Sequence, residues 1–275
     1  MSYQGYDQDQ ERGAPIDLFE FVMNPGLSYR YCSGDTDIEI AGGTYKAVPV
    51  QRQTIKTTGK FEKTNLEIRV PVTTALAGMF LPYPPPNVVR VIVRQAHLTD
   101  PDLQALVVWA GRVISSSRAD HEAIMTCDST VLSFKRPGLN RFYQHGCPLL
   151  LFGAKCRADR ATHEVTFKPT IVADDGSLTF PANWWLPWTH EKFRGGTISW
   201  TSSLGRETRT IIQTDPAYIK LGGTLREVTT DTDLTLTLGC RHDMSDCRDT
   251  FNNIQNYGGQ SWIPFKNPTK QHPFW

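Results

Sequence analysis

The first half of the chain alternates short apolar runs with turn residues. Leu18-Phe19-Glu20-Phe21-Val22, Tyr29-Arg30-Tyr31-Cys32 and Ile38-Glu39-Ile40 are split by Asn24-Pro25-Gly26, Ser33-Gly34-Asp35 and Gly42-Gly43. Asn, Asp, Gly and Pro supply the backbone angles of tight turns, so this spacing predicts hairpins. Leu66, Ile68 and Val70 alternate with Glu67 and Arg69, the period of a half-buried strand, and Pro71 ends it. Thr74 to Phe80 predicts one or two helical turns, after which Pro82-Tyr83-Pro84-Pro85-Pro86 forces extended backbone. Val88 to Val93 is the strongest strand signal. Leu106 to Ile114 is another, with a bulge expected at Gly111, and Glu122 to Cys127 completes a meander. About eight short strands without a long 3.6-residue period predict an all-β barrel or sandwich.

Near Lys135 the texture changes to a basic, aromatic, turn-rich stretch (KRPGLNRFYQHGC). The expected organisation is therefore a loose polar tail over 1–15, a β-barrel-like domain over 16–135, and a smaller β domain over 136–275. In the second domain, strands are predicted around Val165–Ile171, Thr197–Trp200, Thr208–Thr214 and Leu234–Leu238. The fold class is all-β, with few short helices.

Composition narrows the function. The chain has 275 residues, 29 Lys and Arg against 28 Asp and Glu, and a net charge of +1. That balance removes any bulk electrostatic case for nucleic acid or an anionic membrane. No apolar run reaches the roughly 18 residues of a membrane span, and the opening MSYQGYDQDQERG lacks a secretory core. The expectation is synthesis in a cytosol, no stable membrane insertion and no required nucleic-acid contact. In a reducing compartment, the six cysteines are better read as thiols or metal ligands than as disulfides.

Four of them form a pattern. Cys147 and Cys156 are nine positions apart, Cys240 and Cys247 seven, and 84 positions separate the pairs. Two thiols in each of two glycine-containing loops is the arithmetic of a four-thiolate site. Zinc ribbons favour tighter pairs, and a longer loop wraps a larger object such as a cubane iron–sulfur core. Lys155, Arg157, Arg241 and Arg248 flank the cysteines and would offset a cluster's negative charge. Inert buried thiols and disulfides remain open at this stage. Cys32 and Cys127 sit in strand patterns and are expected to be packed thiols.

Several residues together resemble a known family. Lys135-Arg136-Pro137-Gly138-Leu139 leads through Arg141-Phe142-Tyr143-Gln144 to Cys147, and Leu151-Phe152-Gly153 precedes Cys156. Gly239-Cys240 is followed by Cys247, Phe251, Asn252, Asn256-Tyr257-Gly258-Gly259 and Ile263-Pro264. This resembles the hub proteins at the tail tip of long-tailed bacteriophages and gene transfer agents, the type of the minor tail protein L of lambda-like phages. The likeness is good over 136–275. It is looser over 16–135, where Leu18-Phe19-Glu20-Phe21, Tyr29-Arg30-Tyr31 and the stretch from Lys63 to Pro71 carry it. The resemblance implies a baseplate component of the virion, made in the host bacterial cytoplasm. It implies Cys147, Cys156, Cys240 and Cys247 as ligands of a [4Fe-4S] cluster, with zinc the second choice. It also implies a homo-oligomer, as a trimer, stacked between the distal tail protein and the central spike or fibre-bearing hub protein, near the tape measure protein. The long gap between cysteine pairs implies a β-insertion at about 160–235.

No catalytic residues are expected. His145, two positions before Cys147, is the base a cysteine nucleophile would need, but Pro148 and an apolar run follow Cys147 in place of a helix start. The alternative reading is an intracellular binding protein with a structural zinc site. Trp184, Trp185 and Trp188 suggest either a contact patch or core packing. Asn252, Asn253 and Asn256 are expected to build the loop around the cysteines, with Phe251 and Tyr257 either shielding it or packing as ordinary core. The arm from Lys266 to Trp275 suggests either docking on a neighbour or a disordered tail.

Overall fold

The computed structural model describes residues 3–9, 13–24, 27–40, 42–55, 65–81, 83–130, 138 and 143–264. The expected terminal arm, most of the 135–142 motif and the start of the Lys63–Pro71 stretch lie outside these residues. The chain divides into two compact units, Met1–Pro137 and Gly138–Trp275. The two are nearly equal in length, so the second is not the smaller one that the sequence suggested.

The first unit holds nine strands: β1 (Pro15–Asn24), β2 (Leu27–Cys32), β3 (Ile38–Ile40), β4 (Gly43–Ala47), β5 (Gln51–Arg52), β6 (Leu66–Pro71), β7 (Arg90–His97), β8 (Leu106–Ala119) and β9 (Glu122–Ser129). They form one sheet in the order β3-β4-β2-β1-β7-β8-β9-β6-β5. The sheet curls into an open half-barrel and does not close, because the short β3 and β5 stand at its two edges. Leu18, Phe19 and Phe21 of β1, Val91 and Val93 of β7 and Ile68 of β6 are fully buried. The predicted helical turn is α2 (Ala75–Met79), capped by the Thr74 hydroxyl, which accepts from the Ala77 N–H at 3.3 Å.

Two expectations fail here. The bulges in β8 lie either side of Gly111, where the register skips Val108 against β7 and Ile114 against β9. Gly111 itself stays in register and is small because a Cβ there would meet the Asp128 carbonyl and the Trp109 ring. The N-terminal stretch expected to be loose contains a helix, α1 (Tyr3–Gln8). Tyr3 and Tyr6 bury themselves on His97, with ring centroids at 5.1 and 6.1 Å.

The second unit holds β10 (Glu164–Phe167), β11 (Ile171–Val172), β12 (Ser177–Thr179), β13 (Thr197–Ser202), β14 (Gly205–Thr214), β15 (Tyr218–Leu221) and β16 (Leu234–Thr237). Their order is β10-β16-β13-β14-β15-β12-β11. All seven lie between the two cysteine pairs in sequence. Asp174-Asp175-Gly176 makes the β11–β12 turn, with Gly176 at φ +82°. The core is apolar and aromatic, and Trp184 is its largest fully buried side chain. Trp184 donates from Nε1 to the Pro216 carbonyl at 3.2 Å and packs on Phe180, Phe193 and Trp185. Trp184 is therefore core, and Trp185 and Trp188 pack against that core partly buried. After β16 comes α3 (Met244–Asp249), whose N-cap Asp243 accepts from the Asp246 N–H at 2.6 Å. Among the described residues no helix is long and apolar enough to cross a membrane.

Candidate functional site

Cys147, Cys156, Cys240 and Cys247 line one cavity in the second unit, together with Leu149, Leu151 and Phe251. All six cysteines are free thiols. Cys32 and Cys127 are fully buried elsewhere, as packed thiols. Burial pushes the Cys127 thiol up to about 12.

The backbone brings the remote loops together. The Cys147 N–H donates to the His242 carbonyl at 2.7 Å, and His242 Nδ1 lies 2.9 Å from the Cys147 carbonyl. Tyr257 donates its hydroxyl proton to the His145 carbonyl at 2.8 Å. Gly258 and Gly259 are needed for this close approach. A Cβ on Gly258 would meet the Leu149 side chain at 2.8 Å, and one on Gly259 would meet the His145 carbonyl. Four non-glycine residues of these loops adopt left-handed backbone: Phe152 (φ 58°), Arg157 (φ 59°), His242 (φ 60°) and Asn252 (φ 46°). Each costs about 1–3 kcal/mol where the surroundings impose it.

N–H groups reach three of the four sulfurs. The Gly258 N–H points at Cys147 Sγ (3.4 Å), the His242 N–H at Cys240 Sγ (3.3 Å) and Asn253 Nδ2 at Cys156 Sγ (3.6 Å). The Cys247 thiol instead donates to the Asn253 carbonyl at 3.3 Å. Burial pushes Cys247 up to about 11, and the neighbouring cysteines add to the shift. Burial raises Cys240 as well. Cys240 and Cys247 therefore resist ionising in this apolar recess unless positive charge is placed beside them. Two of the four flanking cations are engaged elsewhere. Arg241 and Arg248 are exposed and pair with Asp243 (3.4 Å) and Asp249 (2.7 Å). Among the described residues, no group of three or more His, Cys, Asp or Glu is arranged around a single metal ion.

Behind the sulfurs lies a polar support that the sequence did not suggest. Asp246, 1% exposed, accepts from Lys192 Nζ (2.6 Å), the Thr250 hydroxyl (2.7 Å) and the Arg241 N–H (3.0 Å). Burial opposes its ionisation, but Lys192 and these hydrogen bonds outweigh burial and hold the carboxyl below its ordinary value. Lys192 precedes β13 and so ties the sheet to the second cysteine loop. No local pattern in the sequence links Lys192 to Asp246.

The fold is shared with a chain of the virion of a native gene transfer agent particle. The TM-score is 0.78 at 16% identity, over 99% of this chain and 95% of that one. Residues 9–159 match the model of the baseplate hub protein N-terminal attachment domain. Residues 191–267 match that of the phage conserved hypothetical protein BR0599. Cys147 and Cys156 fall in the first match, Cys240 and Cys247 in the second. An uncharacterized protein of Xylella fastidiosa (strain 9a5c) is 30% identical over 182 residues, 60% of this chain. The chain spans 37% of the length of that relative. Fold and matches together define a structural protein of phage type. The chain belongs to the baseplate hub protein family and is a structural component of a phage-like virion.

Proposed function

We propose that this chain is a hub subunit that joins the distal tail to the central spike or fibre-bearing protein, as a homotrimer beside the tape measure protein. We further propose that Cys147, Cys156, Cys240 and Cys247 hold a [4Fe-4S] cluster that clips its two cysteine loops together. The observation that carries this reading is the convergence of two remote cysteine pairs on one apolar cavity. N–H donors at three sulfurs support it, because such bonds stabilise cluster-bound thiolate. The left-handed residues in both loops support it too, since an inorganic cross-link would hold strained turns in place. A zinc ion needs four sulfurs about 2.3 Å from one point. A cubane core spans a wider space, and the chain's long loops suit it better.

When bound, the cluster supplies a covalent cross-link and positive charge among the thiolates. The chain's residues do the rest: Leu149, Leu151 and Phe251 exclude water, and the N–H groups orient the sulfurs. Exposed apolar side chains beside the cysteine loops support contact with other virion proteins. Tyr143 is 85% exposed and Trp262 92%, on segments joined by the Gln260 N–H to the Gln144 carbonyl at 2.8 Å.

The test is a particle assay. Particles made with the wild-type chain should contain it at the tail tip by antibody labelling, and Cys147→Ser should give particles that fail to assemble tails. Complete, functional particles lacking the chain would overturn the hub role. Normal particles from Cys147→Ser would overturn the essential clip.

A further inference from the structure

We propose that Asn253 is the positioning residue that locks the two cysteine loops to one another and tunes the cluster through Cys156. This rests on the cluster reading above. Asn253 is buried, at 8% exposure, and every polar group it owns is committed to the site. Its side-chain Nδ2 donates to the Cys156 carbonyl at 2.6 Å and also faces Cys156 Sγ at 3.6 Å. Its backbone N–H donates to the Cys247 carbonyl at 2.9 Å, a bond that does not depend on the Cys247 thiol proton, and its own carbonyl accepts from the Asn256 N–H at 3.0 Å. One residue thus holds a cysteine from each pair, 91 positions apart in the chain.

The amide has a fixed sense. Asn256 Nδ2 donates to Asn253 Oδ1 at 2.7 Å, which turns the oxygen away from Cys156 and the NH2 group toward it. An aspartate would set a carboxylate against the Cys156 carbonyl and sulfur, and a leucine would leave that carbonyl without its donor. Among the described residues, the other N–H groups that reach these sulfurs belong to the backbone of Gly258 and His242. Asn253 is therefore the side-chain donor that substitution removes. An N–H bond to a ligand sulfur stabilises the more negative, reduced cluster more than the oxidised one. Its loss lowers the reduction potential.

The experiment measures iron and sulfide content, midpoint potential and the rate of cluster loss to a chelator, on the anaerobic full-length wild-type, Asn253→Leu and Asn256→Ala proteins. Asn253→Leu should shift the reduction equilibrium about tenfold toward the oxidised form, a fall of about 59 mV for a one-electron couple, and lose its cluster faster. Asn256→Ala frees the amide without removing it and should shift both quantities the same way by a smaller factor. If Asn253→Leu does not fold, the shift in Asn256→Ala carries the test. A brown wild type with both measurable variants unchanged in potential and loss rate overturns the role of Asn253 and leaves the cluster standing. A wild type without iron and sulfide overturns the cluster reading itself.

Discussion

Asp246 shows how one carboxylate shapes the site from behind. It is held ionised by Lys192, Thr250 and the Arg241 N–H, so its folded pKa lies below its ordinary value. A group lowered in this way contributes stability above its unfolded pKa and loses it as pH falls through the folded one. The second unit should therefore weaken as pH drops below the ordinary 3.8 of an aspartate. Asp246→Asn should flatten that loss in acid-unfolding curves, and Asp246→Ala should cost about 1–3 kcal/mol near neutral pH by stranding its buried donors. An unchanged acid-unfolding profile in Asp246→Asn would contradict the assignment. The cysteines outside the site make a second residue-scale expectation. Cys32 and Cys127 are fully buried, and Cys127 is raised to about 12. Both should stay unlabelled by iodoacetamide in the native protein at pH 7 and label fully in denaturant, as mass spectrometry would show.

Elements meet closely where the second cysteine loop leaves the sheet. Gly196, before β13, and Gly239, after β16, face each other: a Cβ on Gly239 would meet the Arg194 carbonyl, and one on Gly196 the Thr237 carbonyl. Gly239→Ala must push Cys240 outward and should cost about 1–3 kcal/mol in denaturant unfolding. In the first unit, β1, β2 and β7 are joined across the sheet by Glu20, which takes Arg30 at 2.9 Å and Arg94 at 2.7 Å, while Arg94 also reaches the Tyr45 hydroxyl at 2.8 Å. Burial raises Glu20, but the two guanidiniums prevail and lower it. Glu20→Gln should destabilise this unit near neutral pH and leave less of its stability to be lost below the ordinary 4.5 of a glutamate.

The element scale is also where the sequence was most and least legible. Strands with alternating patterns and turn punctuation, such as β6 and the β1–β2 pair, could be read directly. β12 and β15 were not read: they are three and four residues long and stand among turn residues. α1 was missed because Tyr3 and Tyr6 pack on a distant histidine, and a six-residue stretch of two tyrosines among polar and small residues shows no such partner. At the site, cysteine spacing identified the four thiols, and the Asn and Gly residues marked the loop. Lys192, His242 and the bridging geometry of Asn253 depend on contacts across the fold and leave no local pattern.

At the scale of the whole molecule, two β units of similar length share their architecture with a virion chain across nearly the full sequence. Identity of 16% shows that this architecture persists while most side chains change. In the second unit, two loops flanking a seven-stranded sheet line one cavity, and the proposed cluster would hold them there. The most direct test is iron and acid-labile sulfide quantitation on anaerobically purified full-length protein, with its absorbance spectrum. The account predicts a brown protein with about four irons and four sulfides per chain and broad blue absorbance. Colourless protein, or protein carrying one zinc per chain and no sulfide, would contradict it.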